Sequence, residues 1–390
     1  MYRARRRAAP PVPKPIYLNL SAFYFFYFAY LGAFAPFFAL YLTSVGMSAV
    51  EIGMLMALPQ LTRILAPHLW GWLADRSGRR IHVVRASGVA GTLVFLGAFA
   101  GESFALLCTV LFAMTFFWSA ALPLVEATTL SHLGDETAQY GRIRVWGSVG
   151  FIAAVVAVGY LLDATSPRAV LWVIAGLMAG MLLLSWRLDE APVAPHPGDD
   201  RPVWHIVRRP EVIAVVAASA LMAAAHGPYY TFYTIHLVDF GYSKSAAGWL
   251  WALGVICEVG IFIWMSRLYR AFTLRQILIA STLLAALRFV VIGWGAQSVV
   301  LLLAAQTLHA ASFGSFHAAA IGVVHKLFRG RHQARGQAIY GSLAYGFGGT
   351  IGGLASGYAW GGLGAGLTFT LAAACALLAA AVLWRGLHEA

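Results

Sequence analysis

Apolar runs almost free of charge recur from one end of the chain to the other. Each is about 20 residues or longer, the length an α-helix needs to cross a bilayer. They fall near 17–42, 50–74, 82–100, 103–131, 141–163, 168–188, 211–238, 245–269, 273–295, 298–327, 333–358 and 363–387, predicting twelve transmembrane helices. Alternation of polar and apolar positions over about ten residues, the mark of a barrel strand in an outer membrane, is absent. The pattern therefore predicts an all-α membrane protein. Its longest polar break, 189–210, carries prolines and charges and reads as a cytoplasmic linker between two six-helix bundles, 17–188 and 211–388.

Composition sharpens that picture. Hydrophobic residues make up 60% of 390 positions and Asp, Glu, Lys and Arg only 11%, where a soluble domain carries about 25% charge. Forty glycines suit close helix packing in lipid. A net charge of +12 would suit a nucleic-acid partner, but the basic residues follow the membrane instead of gathering in a module. Alternate loops hold Arg3, Arg5, Arg6, Arg7 and Lys14; Arg76, Arg79, Arg80 and Arg85; Arg187, Arg201, Arg208 and Arg209; Arg267, Arg270 and Arg275; Lys326, Arg329, Arg331 and Arg335; and Arg385. The opposite loops hold only Arg168 and Lys244. By the positive-inside rule, both termini are expected in the cytoplasm, including a basic, Pro-rich segment 1–16. The first apolar run is too long for a signal-peptide core, and no small-residue cleavage site follows it, so it reads as a retained helix. Cys108, Cys257 and Cys375 fall inside predicted helices and read as small hydrophobic side chains. No metal site and no cofactor are predicted.

The two halves repeat. Gly46-x-Ser48 followed by Gly53-x-Leu55-x-Ala57-Leu58 returns 195 residues later as Gly241-x-Ser243 followed by Gly248-x-Leu250-x-Ala252-Leu253. Trp146-Gly147-Ser148 in the fifth span is echoed by Tyr340-Gly341-Ser342 in the eleventh. Both echoes are six spans apart, predicting a parallel duplication with a solute site between the copies near mid-membrane.

Between the second and third spans the chain reads Gly71-Trp72-Leu73-Ala74-Asp75-Arg76-Ser77-Gly78-Arg79-Arg80. This resembles the signature loop of the major facilitator superfamily. The resemblance implies a gating latch built on Gly71, Asp75, Arg76, Gly78, Arg79 and Arg80. Gly71 would allow close helix approach, Gly78 a left-handed turn, and Asp75 contact with an arginine or a helix N-terminus. Pro123-Leu124-Val125-Glu126 and the stretch from Tyr140 to Phe151 resemble the lactose permease relatives, implying solute contact by Glu126 and Arg144. Phe151 stands where the sugar permease has the Trp that stacks on its sugar, which argues against a sugar. Leu61-Thr62-Arg63-Ile64, His226 to Phe232, Leu287-Arg288, His309 to Ala318 and Arg335-Gly336-Gln337-Ala338 resemble the phenylpropionate permease branch more closely.

An ionisable side chain inside a transmembrane helix costs about 2.5–3.5 kcal/mol on insertion scales and so calls for a role. The 195-residue repeat maps Arg63 onto Glu258, each halfway along its span. Arg63 could bind an anion and Glu258 carry a proton, or the two could be a structural ion pair. Glu126 and Arg144 could pair in an inner-half network. Arg288 could hold a carboxylate or keep Glu258 ionised. His226, His309 and His317 are candidate proton carriers or satisfied core side chains. By α-helical geometry, His309 and His317 lie about 80° apart on one broad face. The aromatics of the first span (Tyr24, Phe25, Phe26, Tyr27, Tyr30) and of the seventh (Tyr229, Tyr230, Phe232, Tyr233) are expected to face lipid for the most part, with Tyr229 and Tyr230 near His226 free to clamp a ring. The glycines of the eleventh span (Gly346, Gly348, Gly349, Gly352, Gly353, Gly357) are expected to pack tightly.

Together these point to a proton-coupled importer of a small aromatic carboxylate such as 3-phenylpropionate, acting as a monomer in a bacterial inner membrane. Its partners would be the solute, protons and lipid, with no nucleic acid. A sugar or nucleoside symporter of the same fold is the alternative, and a solute-sensing receptor without flux is a second one of another class. Without a metal triad, nucleophile motif or phosphate loop, an enzyme is not expected.

Overall fold

The computed structural model describes residues 14–134, 139–191, 203–328 and 332–388, without the side chain at 334. The basic segment before Lys14 and the central part of the 189–210 linker lie outside the described residues. Among those described there is no strand. The helices are α1 Lys14–Ser44, α2 Ala49–Ser77, α3 Arg80–Phe95 with a 3₁₀ turn to Phe99, α4 Phe104–Trp118, α5 Ala121–Leu133, α6 Tyr140–Ala164 and α7 Ala169–Ser185. A single turn, α8 Trp204–Val207, precedes α9 Pro210–Ala225, α10 Gly227–Asp239, α11 Lys244–Ala271 and α12 Leu274–Trp294. Then come α13 Val299–His309, α14 Phe316–Leu327, α15 Gln333–Tyr340 and α16 Gly349–Gly386. Among the described residues, ten helices or helix pairs are long and apolar enough to span a membrane, and α7 is a shorter apolar one. The last of the ten, Arg335–Gly386, has 52 residues. That is about 78 Å at 1.5 Å per residue, more than twice a hydrocarbon core. Gly364, at φ 79° and ψ 175°, breaks it close to the boundary expected between the last two runs.

The sequence repeat has a structural counterpart. Gly46 (φ 84°) and Gly241 (φ 85°) end α1 and α10 in the left-handed region. Met47 donates to the Leu42 carbonyl and Tyr242 to that of Leu237, both at 3.1 Å. This is the same Schellman closure twice. Two residues on, Ser48 and Ser243 cap α2 and α11 with nearly identical dihedrals (−67°, 158° and −66°, 158°).

Several spans are broken near their middles. Pro228, with no N–H to give, follows the break between α9 and α10 at His226. Ala310–Ser315 joins α13 to α14 as a π-helix, and Gly341–Gly348 joins α15 to α16 in the same way. Such π segments are frequent at functional sites.

Helices α1–α7 meet α9–α16 mainly through α2 with α16, α6 with α11 and α1 with α10. Glycines show where the fit is tight. A Cβ on Gly53 would lie 2.7 Å from Gly357, one on Gly159 would lie 2.7 Å from the Lys244 carbonyl, and one on Gly248 would lie 2.6 Å from that of Val155. Toward the opposite ends of the same helices, a Cβ on Gly71, Gly141, Gly260 or Gly341 would meet nothing within 4 Å. The two sets are tightest at the Ser48 and Lys244 end; farther along, α2 still holds the 341–348 segment through His68 and the Ile64 carbonyl, both on Ser342 Oγ at 2.9 and 3.1 Å. The expected close approach at Gly71 is not made in this conformation. The ladder in the eleventh span is tight as expected, with Gly348 against Ala220 and Gly352 against Ala224.

The expectation that the aromatics of the first and seventh spans mostly face lipid is overturned. Tyr24, Tyr27, Tyr30, Tyr229, Phe232 and Tyr233 are all at most 8% exposed. α1 and α10 are interior helices, wrapped by neighbours on several sides, so their rings build the core. Asp163 at the end of α6 accepts the backbone N–H of Lys244 at 2.8 Å and of Ser245 at 3.0 Å. It also lies 3.9 Å from the Lys244 ammonium.

Candidate solute site

Three groups of polar side chains lie between the helices, two of them drawing on more than two helices each. The first joins α5 to α6. Arg144 lies 3.7 Å from Glu126, each about one-third exposed, and Tyr140 donates to the same Glu126 oxygen at 3.2 Å. The Arg144 guanidinium sits over Phe28 at 4.0 Å and Tyr24 at 5.8 Å. Glu126 and Arg144, expected as possible partners, are paired.

The second group spans both halves. Arg63, between Pro59 and Pro67 of α2, is exposed. It donates to Gln60 at 3.3 Å and faces the Tyr345 ring at 5.9 Å. The Tyr345 hydroxyl is 2.6 Å from His317 Nδ1. Arg63 and Arg144 are both within electrostatic reach of His317. Glu258 of α11 completes the set, its carboxylate 3.7 Å from His309 Nε2 and within reach of Arg144. Phe313 stacks between the two histidines, 5.4 Å from His309 and 6.1 Å from His317, with interplanar angles of 5° and 4°. The three rings form one column. The π turn at 310–315 carries them there, replacing the 80° divergence expected of a regular α-helix.

The third group is closed. Arg288 of α12 is fully buried, its Nε donating to the Ala305 carbonyl at 3.1 Å and its guanidinium 4.1 Å over Tyr229. Both of its Nη atoms lack a hydrogen-bond partner, as do His226 Nε2, Tyr233 Oη, Gln306 Nε2 and His309 Nδ1. Tyr229 donates to Gln306 at 3.1 Å, and His226 Nδ1 bonds the Met222 carbonyl at 2.8 Å. This group adjoins the column directly, His226 lying 5.8 Å from Phe313 and Tyr229 5.6 Å from His309, with half-buried Tyr230 beside both at 6.0 Å from His226 and 6.5 Å from Phe313. Buried polar atoms left unpaired are costly, and so many in one place is unusual.

Phe151 lies apart from these groups, in the apolar core, its backbone seated on Gly32 of α1. In the gating loop, Gly78 ends α2 at φ 64° as expected. Arg80 donates to Ser131 at 3.1 Å, Arg76 covers Trp72 at 5.7 Å, and Arg79 precedes α3, its N–H on Ser77. Asp75 is exposed, and among the described residues no salt bridge holds it. No cluster of metal-ligating side chains is found among them either. Tyr345 and Gln306 were missed from sequence. Tyr345 sits in a Gly-rich stretch read only as packing, though a phenol halfway along an apolar run was a signal in its own right.

A bundle of broken helices, jammed at one end and holding charges of both signs between its halves, is the architecture of a secondary transporter. The MFS_1 like family matches residues 17–371, and the chain belongs to that family of major facilitator transporters. It is a multi-pass membrane transporter, not an enzyme. It is 29% identical over 332 residues to the Probable 3-phenylpropionic acid transporter of Escherichia coli (strain K12), covering 84% of this chain and 86% of that one. It is 33% identical over 175 residues to the maltose permease of Geobacillus stearothermophilus, covering 44% of each. The crystal structure of nucleoside transporter NupG superposes with a TM-score of 0.84 at 18% identity, covering 96% of this chain and all of that one. That of a bacterial homolog to human lysosomal transporter Spinster, inward-facing and unoccupied, superposes with a TM-score of 0.73 at 14% identity, covering 97% and 98%. These two likenesses concern the fold alone.

Proposed function

We propose that the chain is a proton-coupled importer of a small aromatic carboxylate of the 3-phenylpropionate kind. It would work as a monomer in a bacterial inner membrane, with both termini cytoplasmic and two bundles, 17–188 and 211–388, rocking about the site. The observation that carries this reading is the juxtaposition of Arg63 and Arg144 with the His309–Phe313–His317 column and Glu258. The guanidiniums suit a carboxylate, the rings suit an aryl group, and Glu258 suits a proton. The E. coli relative's name points the same way. On the orientation read from sequence, the tight Ser48 and Lys244 end faces away from the cytoplasm, and the loop of Gly71, Asp75, Arg76, Gly78, Arg79 and Arg80 would gate the cytoplasmic end. Arg288, His226, Tyr229 and Tyr230 form a reserve of donors and rings behind the column.

Charge explains the coupling. Arg63 and Arg144 against Glu126 and Glu258 leave the set neutral, so an anion gains little by entering. A proton on Glu258 leaves the set at +1, and a monocarboxylate restores neutrality. Loaded and empty forms then carry the same charge, which favours the same conformational exchange for both. Uptake of labelled 3-phenylpropionate into proteoliposomes under an inward proton gradient is the test, with lactose and uridine as rivals. Accumulation of the sugar or nucleoside instead would overturn the cargo. Ligand binding without flux under any gradient would make the chain a receptor.

A further inference from the structure

Tyr345 bridges α2 and α14. Its ring lies under the Arg63 guanidinium, while its hydroxyl is 2.6 Å from His317 Nδ1. It thereby links the cation of one half to an imidazole of the other. Its backbone lies in the π segment 341–348, and the neighbouring Gly346 has no room for a Cβ, which would lie 2.8 Å from Ile64. The phenol is thereby fixed against α2.

The direction of the hydrogen bond follows from the cation. A guanidinium over a phenol ring draws electron density toward itself, making the O–H a better donor and its oxygen a poorer acceptor. Tyr345 then donates to Nδ1, and the imidazole's own proton resides on Nε2. Nδ1 is occupied by the phenol, so Nε2–H is the donor left to meet a solute. The ring is half-buried, and the guanidiniums of Arg63 and Arg144 both act on it.

We infer that Tyr345 is a positioning residue for anion selection: by holding His317 in the Nε2–H tautomer, it adds a neutral donor to the cationic pair that receives the carboxylate. This rests on the proposed carboxylate cargo, but one part of its test does not. Nitrogen chemical shifts of isotope-labelled histidine, assigned with His317→Gln, are expected to show His317 as the Nε2–H tautomer in the unmodified protein. In Tyr345→Phe, which keeps the ring under Arg63, that preference is expected to be lost. An Nδ1–H tautomer in the unmodified protein, or no change in the variant, overturns the inference whatever the cargo.

The second part measures Kd for 3-phenylpropionate and for its neutral amide, with thermal unfolding as a check on folding. Loss of an oriented donor should weaken the acid about tenfold in Tyr345→Phe and the amide, whose carbonyl is the weaker acceptor, by clearly less. Equal weakening of both would make Tyr345 a packing residue and overturn the proposal. Absence of acid binding to the unmodified protein, with the tautomer result intact, would instead strike the cargo assignment.

Discussion

Asp163 closes on the first turn of α11 by accepting the N–H of Lys244 at 2.8 Å and that of Ser245 at 3.0 Å. A carboxylate from one half thus caps a helix of the other, facing the positive end of its dipole. Just beneath, Gly159 lets the α11 backbone come so close that a Cβ would lie 2.7 Å from the Lys244 carbonyl. Helix cap, dipole and close packing act at one point.

Asp163→Ala should therefore loosen the jammed end. Caps of this type contribute about 0.5–2 kcal/mol, so hydrogen exchange at the amides of 244–246 should quicken several-fold. Exchange in the middle of α12 should stay as it is. A uniform rise across the protein would mean general destabilisation, and no rise would mean the cap is idle.

Glu258→Gln fixes the four-residue charge set at +1. Proton-driven accumulation should disappear while exchange of internal for external solute persists. Equal uphill transport in the variant would remove Glu258 from the coupling. Parallel loss of exchange would point to a binding role in place of a coupling one.

Neutrality of the empty and of the loaded set predicts electroneutral transport. Imposing a potassium diffusion potential of either sign across proteoliposomes at fixed pH should change the initial uptake rate less than twofold. A steep dependence on potential would require a second proton or another ion.

Outside the membrane spans, Glu190 ties the segment after α7 to the start of α3. Partial burial pushes its carboxyl up, but hydrogen bonds from the His82 ring and from the backbone N–H groups of Ile81 and His82 outweigh that and hold it below the usual carboxylate value. A carboxyl depressed on folding adds stability above its unfolded pKa, and that stability is lost as pH falls through its folded pKa. Glu190→Gln should cost under about 1 kcal/mol of stability at neutral pH for so exposed a pair, read as a slightly lower Tm. The difference should vanish once the medium is acid enough to protonate the carboxyl. A difference that persists there would mean the effect is not ionic.

Much of this was legible in the residues. Length and polarity of the apolar runs specify membrane helices because lipid leaves the backbone no partner but itself. Gly46-x-Ser48 and Gly241-x-Ser243 encode a left-handed stop and a helix cap in the same order, so the repeat carried its geometry with it. Pairing of Glu126 with Arg144 was visible because both lie on neighbouring spans at similar depth. Burial of Tyr24 and Tyr233 was not visible, since an apolar ring suits lipid and core equally and hydropathy cannot tell them apart. Nor was the alignment of His309 with His317, which depends on a π turn that no residue between them announces. Arg288 stood out as a charge in an apolar run, but its closed pocket and unpaired Nη atoms arise only from packing.

A π turn holds one residue more than an α turn, and the excess need not stay where it is. If the bulge at 310–315 travelled toward either end of its span, every side chain it passed would swing by about 100° while the backbone kept nearly all its bonds. The bulge at 341–348 offers the eleventh span the same freedom. His317 and Tyr345 could then part company by rotation, with neither helix sliding in the lipid, so the site carries its own ratchet.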